Sequence, residues 1–102
     1  MLIKAKPCYL IKSVFRRPDF PSQMTDEEKA IIQKHSDFWD KLILEGSAIV
    51  AGSVQDPEGA YGLAIIFSDS KESARRLLQN DPLKELADYQ YIRMFINFDE
   101  KY

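Results

Sequence analysis

An α+β fold of the ferredoxin-like type, β-α-β-β-α-β, is what this sequence predicts, and three observations predict it. A long amphipathic helical stretch at residues 25–46 follows one strand-like run and precedes two more. A shorter helical stretch from Ser70 precedes a final alternating run. The two middle strands are joined by a tight turn, whereas the other crossings carry helices. Right-handed crossovers then place both helices on one face of an antiparallel sheet.

At 102 residues the chain is expected to form a single domain, residues 1–102, with one core. A formal charge of −2 argues against nucleic acid as a partner, because that surface must be basic enough to displace phosphate counterions. Arg16–Arg17 and Arg75–Arg76 are isolated pairs, read as solvated side chains. No run approaches the about 20 apolar residues of a membrane span, and residues 1–12 lack a signal-peptide core, so no membrane partner is expected. One cysteine, Cys8, cannot close an internal disulfide, which fits a reducing compartment and a cytoplasmic protein. One histidine and one cysteine without ligand spacing make no metal site, and no glycine-rich phosphate loop is present, so neither metal nor cofactor is expected.

The first strand is predicted at residues 6–17, rich in β-branched and aromatic residues, with Cys8, Leu10, Lys12 and Val14 on one face and Tyr9, Ile11, Ser13 and Phe15 on the other. Both faces are largely apolar, so both should be covered. Residues 17–24 carry two prolines and no periodicity, a loop whose Phe20 either closes over a pocket or plugs the core edge; the plug is the preferred alternative. The helix that follows opens on Thr25 with Glu28 three residues on, a capping box, and ends at Gly46, which can take the left-handed conformation. Ile31, His35, Phe38 and Leu42 recur on one face, flanked by Ile32, Trp39 and Ile43, while Asp37 and Lys41 are spaced for an ion pair on the other. The only histidine therefore lies inside the apolar stripe.

A second strand, residues 47–55, and a third, nearly all apolar, at residues 60–67 flank Asp56-Pro57-Glu58-Gly59, which suits a type I turn closed by glycine. The third strand belongs at the sheet centre, and Gly62 within it marks a close approach or a bend. Ser70 caps a second helix with Ala74, Leu77 and Leu78 as its buried stripe; it must stop by Asp81-Pro82, because proline disfavours helical geometry in the preceding residue. A short turn over residues 83–88 leads to the last strand, residues 89–98.

This topology makes two further inferences possible. Helices can cover only one sheet face, so an apolar second face should pair with that of a second copy, giving a homodimer. The two helices also run parallel from the same end of the sheet. His35 is ten residues past Thr25 and Asp81 eleven past Ser70, so at about 1.5 Å per residue both lie about 15 Å from that end. A carboxylate beside a buried histidine fixes its tautomer and keeps it basic, which makes a general acid/base device.

His35 in mid-helix, the segment LILEGSAIVAGSVQDPEGAYGLAIIF and Asp81-Pro82 after the second helix together resemble the YCII-related (YciI-like) proteins over nearly the whole chain. The resemblance implies a dimeric α+β barrel of ferredoxin-like halves, with a site on His35 and Asp81. Relatives include an enzyme that dehydrochlorinates a chlorinated hydroxyquinone, and fold neighbours include muconolactone isomerases. Two positions depart from the pattern: Ser53 stands where proline is common, and Leu86-Ala87-Asp88 where a glycine is common.

The expected function is a cofactor-independent enzyme of the isomerase, lyase or dehydrohalogenase type acting on a cyclic or aromatic metabolite. His35 would abstract a proton and Asp81 would orient its ring. Tyr9, Phe38, Trp39 and Phe67 are candidate walls, with plain core packing the preferred alternative for each, and Ser53 and Arg93 are candidate anchors for an oxygen or anion. The alternative is a homodimer that binds a metabolite, or serves structure, without turnover.

Overall fold

The computed structural model describes residues 2–17, 20 and 22–99. Among them the elements run β1 (Leu2–Phe15), α1 (Asp26–Leu44), β2 (Ala48–Val54), β3 (Tyr61–Phe67), α2 (Lys71–Leu78) and β4 (Ala87–Asp99), with one 3-10 turn, Pro82–Glu85, before β4. The strands form a single antiparallel sheet in the order β2-β3-β1-β4, which is the ferredoxin-like arrangement. Pro18, Asp19 and Pro21 of the loop expected after β1 lie outside the described residues.

Local chemistry sets the helix ends. Thr25 Oγ1 accepts from the Glu28 N–H at 3.1 Å while Glu28 Oε1 accepts from the Thr25 N–H at 2.9 Å, a complete capping box. Gly46, at φ 82°, terminates α1 in the left-handed region. Ser70 caps α2 by accepting from the Ser73 N–H at 3.1 Å. The β2–β3 turn closes with the Gly59 N–H donating to the Asp56 carbonyl at 2.9 Å.

Three local expectations are corrected. β1 begins at Leu2 rather than residue 6, because Leu2 and Ile3 pair with Asp99 and Phe98 of β4 beyond a register shift between Ile3 and Lys6. Lysines and a proline hide this extension in the sequence, and the β4 partner imposes it. Asp37 accepts from Gln33 at 3.1 Å and Lys41 turns to Glu45 at 4.0 Å, so the expected Asp37–Lys41 pair does not form. Arg16 is half exposed, and so solvated, but it is not an isolated charge: it is also a clamp. Its guanidinium donates to the carbonyls of Lys84, Glu85 and Ala87 and to the Asp88 carboxylate at 2.9–3.1 Å.

Cross-strand register assigns the two faces. On one, Tyr9, Ile11, Ala64 and Ile66 pack beneath Trp39 and Leu42 of α1 and Ala74 and Leu78 of α2, so both helices share that face. Full burial of Ile66 and Leu78 contributes about 1.5–3 kcal/mol each. The other face aligns Leu10, Ile65, Ile92 and Val50 across all strands, and on it Ile92 is 51% and Val50 44% exposed. No described helix is long and apolar enough to cross a membrane.

Candidate functional site

Four residues of helix carry His35 to Trp39, placing both rings on the same side of α1, 6.4 Å apart and edge to face. Asp81 arrives from the segment that follows α2. Pro82 holds it in extended geometry (φ −79°, ψ 121°), where it caps the 3-10 turn by accepting from the Leu83 N–H at 3.0 Å. The carboxylate has no exposed surface. Its Oδ1 lies 2.8 Å and its Oδ2 3.0 Å from His35 Nδ1, and Oδ2 also accepts from Trp39 Nε1 at 3.0 Å.

Burial alone would push the Asp81 carboxyl up. The hydrogen bonds from His35 and Leu83, the His35 charge and the Trp39 bond outweigh it, and the group is held below the usual carboxylate range. An ionised Asp81 is acceptor-only, so a neutral His35 must donate from Nδ1, which leaves the lone pair on Nε2; this tautomer is assigned from the bonding pattern. The Tyr89 hydroxyl is buried close to the Asp81 carboxylate, without a well-formed hydrogen bond among the described residues. Burial first, and then the nearby Asp81 charge, raises its pKa strongly, so it stays protonated. The Arg16 clamp fixes the backbone at Lys84 and Glu85, within the turn that presents the carboxylate, and at Ala87, just beyond it.

His35 opens on a cavity of about 300 Å³ between α1 and the sheet, lined by Phe15, Phe20, Met24, Ile32, Trp39, Ile43 and Leu83, with Ala51, Gly52, Ser53 and Gly62 from the strands and Ser36 and Asp40 from the helix. Phe20 is 6% exposed and tilts against Phe15 with ring centroids 4.3 Å apart, so it both plugs the core edge and walls the cavity. Gly62 marks a close approach: a Cβ there would lie 3.2 Å from Ser13 Cβ.

The sequence-derived candidates divide. His35, Trp39 and Ser53 line this cavity, while Asp81 is bonded to His35 and Trp39 behind its wall and does not itself line it. Tyr9, Phe38, Arg93 and Phe67 do not line it. Tyr9 is core, six residues along β1 from Phe15, which is about 20 Å of strand. Arg93 stands opposite Tyr9 in the register, donates to the Asp69 carbonyl at 3.4 Å and lies over Phe95. Phe38 meets Trp39 edge-on at 5.5 Å and packs on the core. Phe67 pairs with Cys8 on the helix-free face, where the Lys6 ammonium lies 4.2 Å from its ring centre.

Sequence reasoning did not anticipate the Trp39 bond to Asp81, although a tryptophan one helical turn beyond the histidine was a usable signal. Nothing in the chain announced Gln55, whose Nε2 donates to Ser53 Oγ at 2.7 Å, or the Tyr89 hydroxyl.

No protein-family model and no curated protein sequence matches this chain. Solved structures do. The 5-chloro-2-hydroxyhydroquinone dehydrochlorinase of Burkholderia phenoliruptrix, in complex with 2,5-dihydroxybenzoquinone, aligns with a TM-score of 0.52 and 16% identity over 85% of this chain and 90% of its own. A mutant of SnoaB, a cofactor-independent oxygenase from Streptomyces nogalater, aligns with a TM-score of 0.45 and 9% identity over 86% of this chain and 89% of its own. The sheet order, the shared helix face and the first of these likenesses give the chain the ferredoxin-like fold found in dimeric α+β barrel proteins.

Proposed function

We propose that the chain is a cofactor-independent acid/base enzyme of the isomerase, lyase or dehydrohalogenase type, related to the YCII proteins and acting on a cyclic or aromatic small molecule. One observation carries this: His35 Nδ1 is held at 2.8 Å by a fully buried carboxylate while the ring lines an apolar cavity. Nε2 takes the proton from a bond beside a carbonyl or hydroxyl, and the bonding electron pair stays on the substrate. The imidazolium forms against Asp81, which keeps its own charge and prevents the ring from rotating. A positioned base of this kind accounts for about 10²–10⁴-fold of rate. The first fold neighbour supports the chemistry by precedent, since dehydrochlorination removes a proton together with chloride. The working unit is a homodimer joined through the helix-free face, whose exposed Ile92 and Val50 need a cover.

The test is deuterium uptake from heavy water beside the carbonyl in a panel of cyclic ketones and hydroxyquinones. Wild type should exchange, His35→Asn should lose about 10²-fold or more, and Asp81→Asn should lose less. Full exchange by His35→Asn ends the proposal. Saturable binding of panel members with no exchange by wild type would instead favour a metabolite-binding dimer.

A further inference from the structure

We infer that the His35 cavity takes an uncharged ring alcohol or ketone and rejects carboxylates and phosphates, with Ser53 as hydrogen-bond donor to the ligand oxygen and Gln55 as the residue that positions Ser53. This rests on the acid/base role of His35 and names what that role acts on.

Charge comes first. Among the described residues lining the cavity none is lysine or arginine, while Asp40 is one of them and ionised Asp81 lies directly behind His35. Arg17, whose guanidinium lies 5.5 Å from the Phe20 ring centre, is engaged by Glu28. A ligand with a localised negative group would leave water for a cavity with largely apolar walls, the Asp40 carboxylate among them and the Asp81 carboxylate behind His35, with no lysine or arginine among the described lining residues to meet it. A neutral ring meets the aromatic walls without that cost, and about 300 Å³ is the lower end of small-molecule sites, suited to a single ring.

The polar group comes next. Ser53 lines the cavity on β2, and its Oγ accepts from Gln55 Nε2 at 2.7 Å. A hydroxyl has one proton and two lone pairs, so accepting from Gln55 leaves the Ser53 proton available to the ligand. Gln55 is two residues further along the chain, just past the end of β2, and lies outside the cavity lining. When His35 takes a proton from the ring, the electron pair left behind delocalises onto the ring oxygen. The Ser53 O–H is the donor placed to meet that charge.

Phenol, benzoate and toluene share a ring and differ in the group that decides the matter. Titrated into the intact protein, with the His35 and Trp39 ring signals followed by NMR, phenol should bind saturably and benzoate at least about tenfold more weakly. Ser53→Ala should weaken phenol about three- to tenfold and Gln55→Ala by a smaller factor, with toluene unchanged in both. Asp40→Asn should narrow the gap between phenol and benzoate. Benzoate binding as well as phenol, phenol binding no better than toluene, loss of toluene and phenol alike in Ser53→Ala, or no binding of any probe overturns the inference. The titration reads binding and not proton transfer, so an error here is separable from an error about the base, which the deuterium assay of wild type decides.

Discussion

Trp39 and His35 reach the same carboxylate from one helix face: the indole N–H donates to Asp81 Oδ2 at 3.0 Å while His35 Nδ1 lies 2.8 Å from Oδ1. Trp39 is 4% exposed and Asp81 fully buried, so water cannot replace the indole donor without entering the core. Trp39→Phe keeps an aromatic ring but leaves a buried carboxylate oxygen short of a donor. We expect a loss of about 1–3 kcal/mol in urea unfolding. A loss indistinguishable from zero would show that the bond contributes nothing.

Asp81 also sets an acid limb of stability. Its folded pKa is lowered, so its contribution is fully present above the unfolded value of about 3.9 and is lost as pH falls through the lower folded value. The stability gap between wild type and Asp81→Asn should therefore be constant at neutral pH and shrink below about pH 4. A gap that persists unchanged into strong acid would contradict the assignment.

The helix-free face makes a separate prediction. Ile92 is 51% exposed there, opposite Leu10, which faces Ile65 in turn. Ile92→Asp should yield a monomer or an insoluble chain while wild type sediments as a dimer. A wild-type monomer at micromolar concentration would remove the dimer from the proposal.

Cys8 has no exposed surface, and burial raises its thiol pKa despite Lys6 nearby. A buried, protonated thiol is a poor nucleophile. The native protein should resist iodoacetamide at neutral pH, and Cys8→Ala should keep ligand binding and any turnover within a few-fold. Abolished turnover in a folded Cys8→Ala protein would move the chemistry away from His35.

What could be read from the chain was what depends on neighbours in sequence or on regular geometry. Thr25, Gly46 and Ser70 mark helix ends through local bonds, and the helical rise pointed to the meeting of His35 and Asp81, although α2 stops at Leu78 and an extended Asp81 completes the approach. Alternation told which sheet face Tyr9 and Arg93 occupy but not how far along the strands the cavity sits, so both were included in the expected site. The roles of Arg16, Gln55 and Tyr89 depend on where a long or polar side chain finds its partner after packing, and no local pattern encodes that. Lys41 had two carboxylates within helical reach and took Glu45.

The Arg16 clamp has a bearing on the order of assembly. It joins the chain just past β1 to the turn capped by Asp81 and to the start of β4, some seventy positions later. As the chain is synthesised, His35 emerges well before its carboxylate, and the turn that presents Asp81 is anchored only when β4 docks on β1. Long-range closures of this kind come late and slowly. Trp39 fluorescence should therefore mark the final step of refolding, and Arg16→Ala should make that step slower while earlier helix formation proceeds at its usual rate.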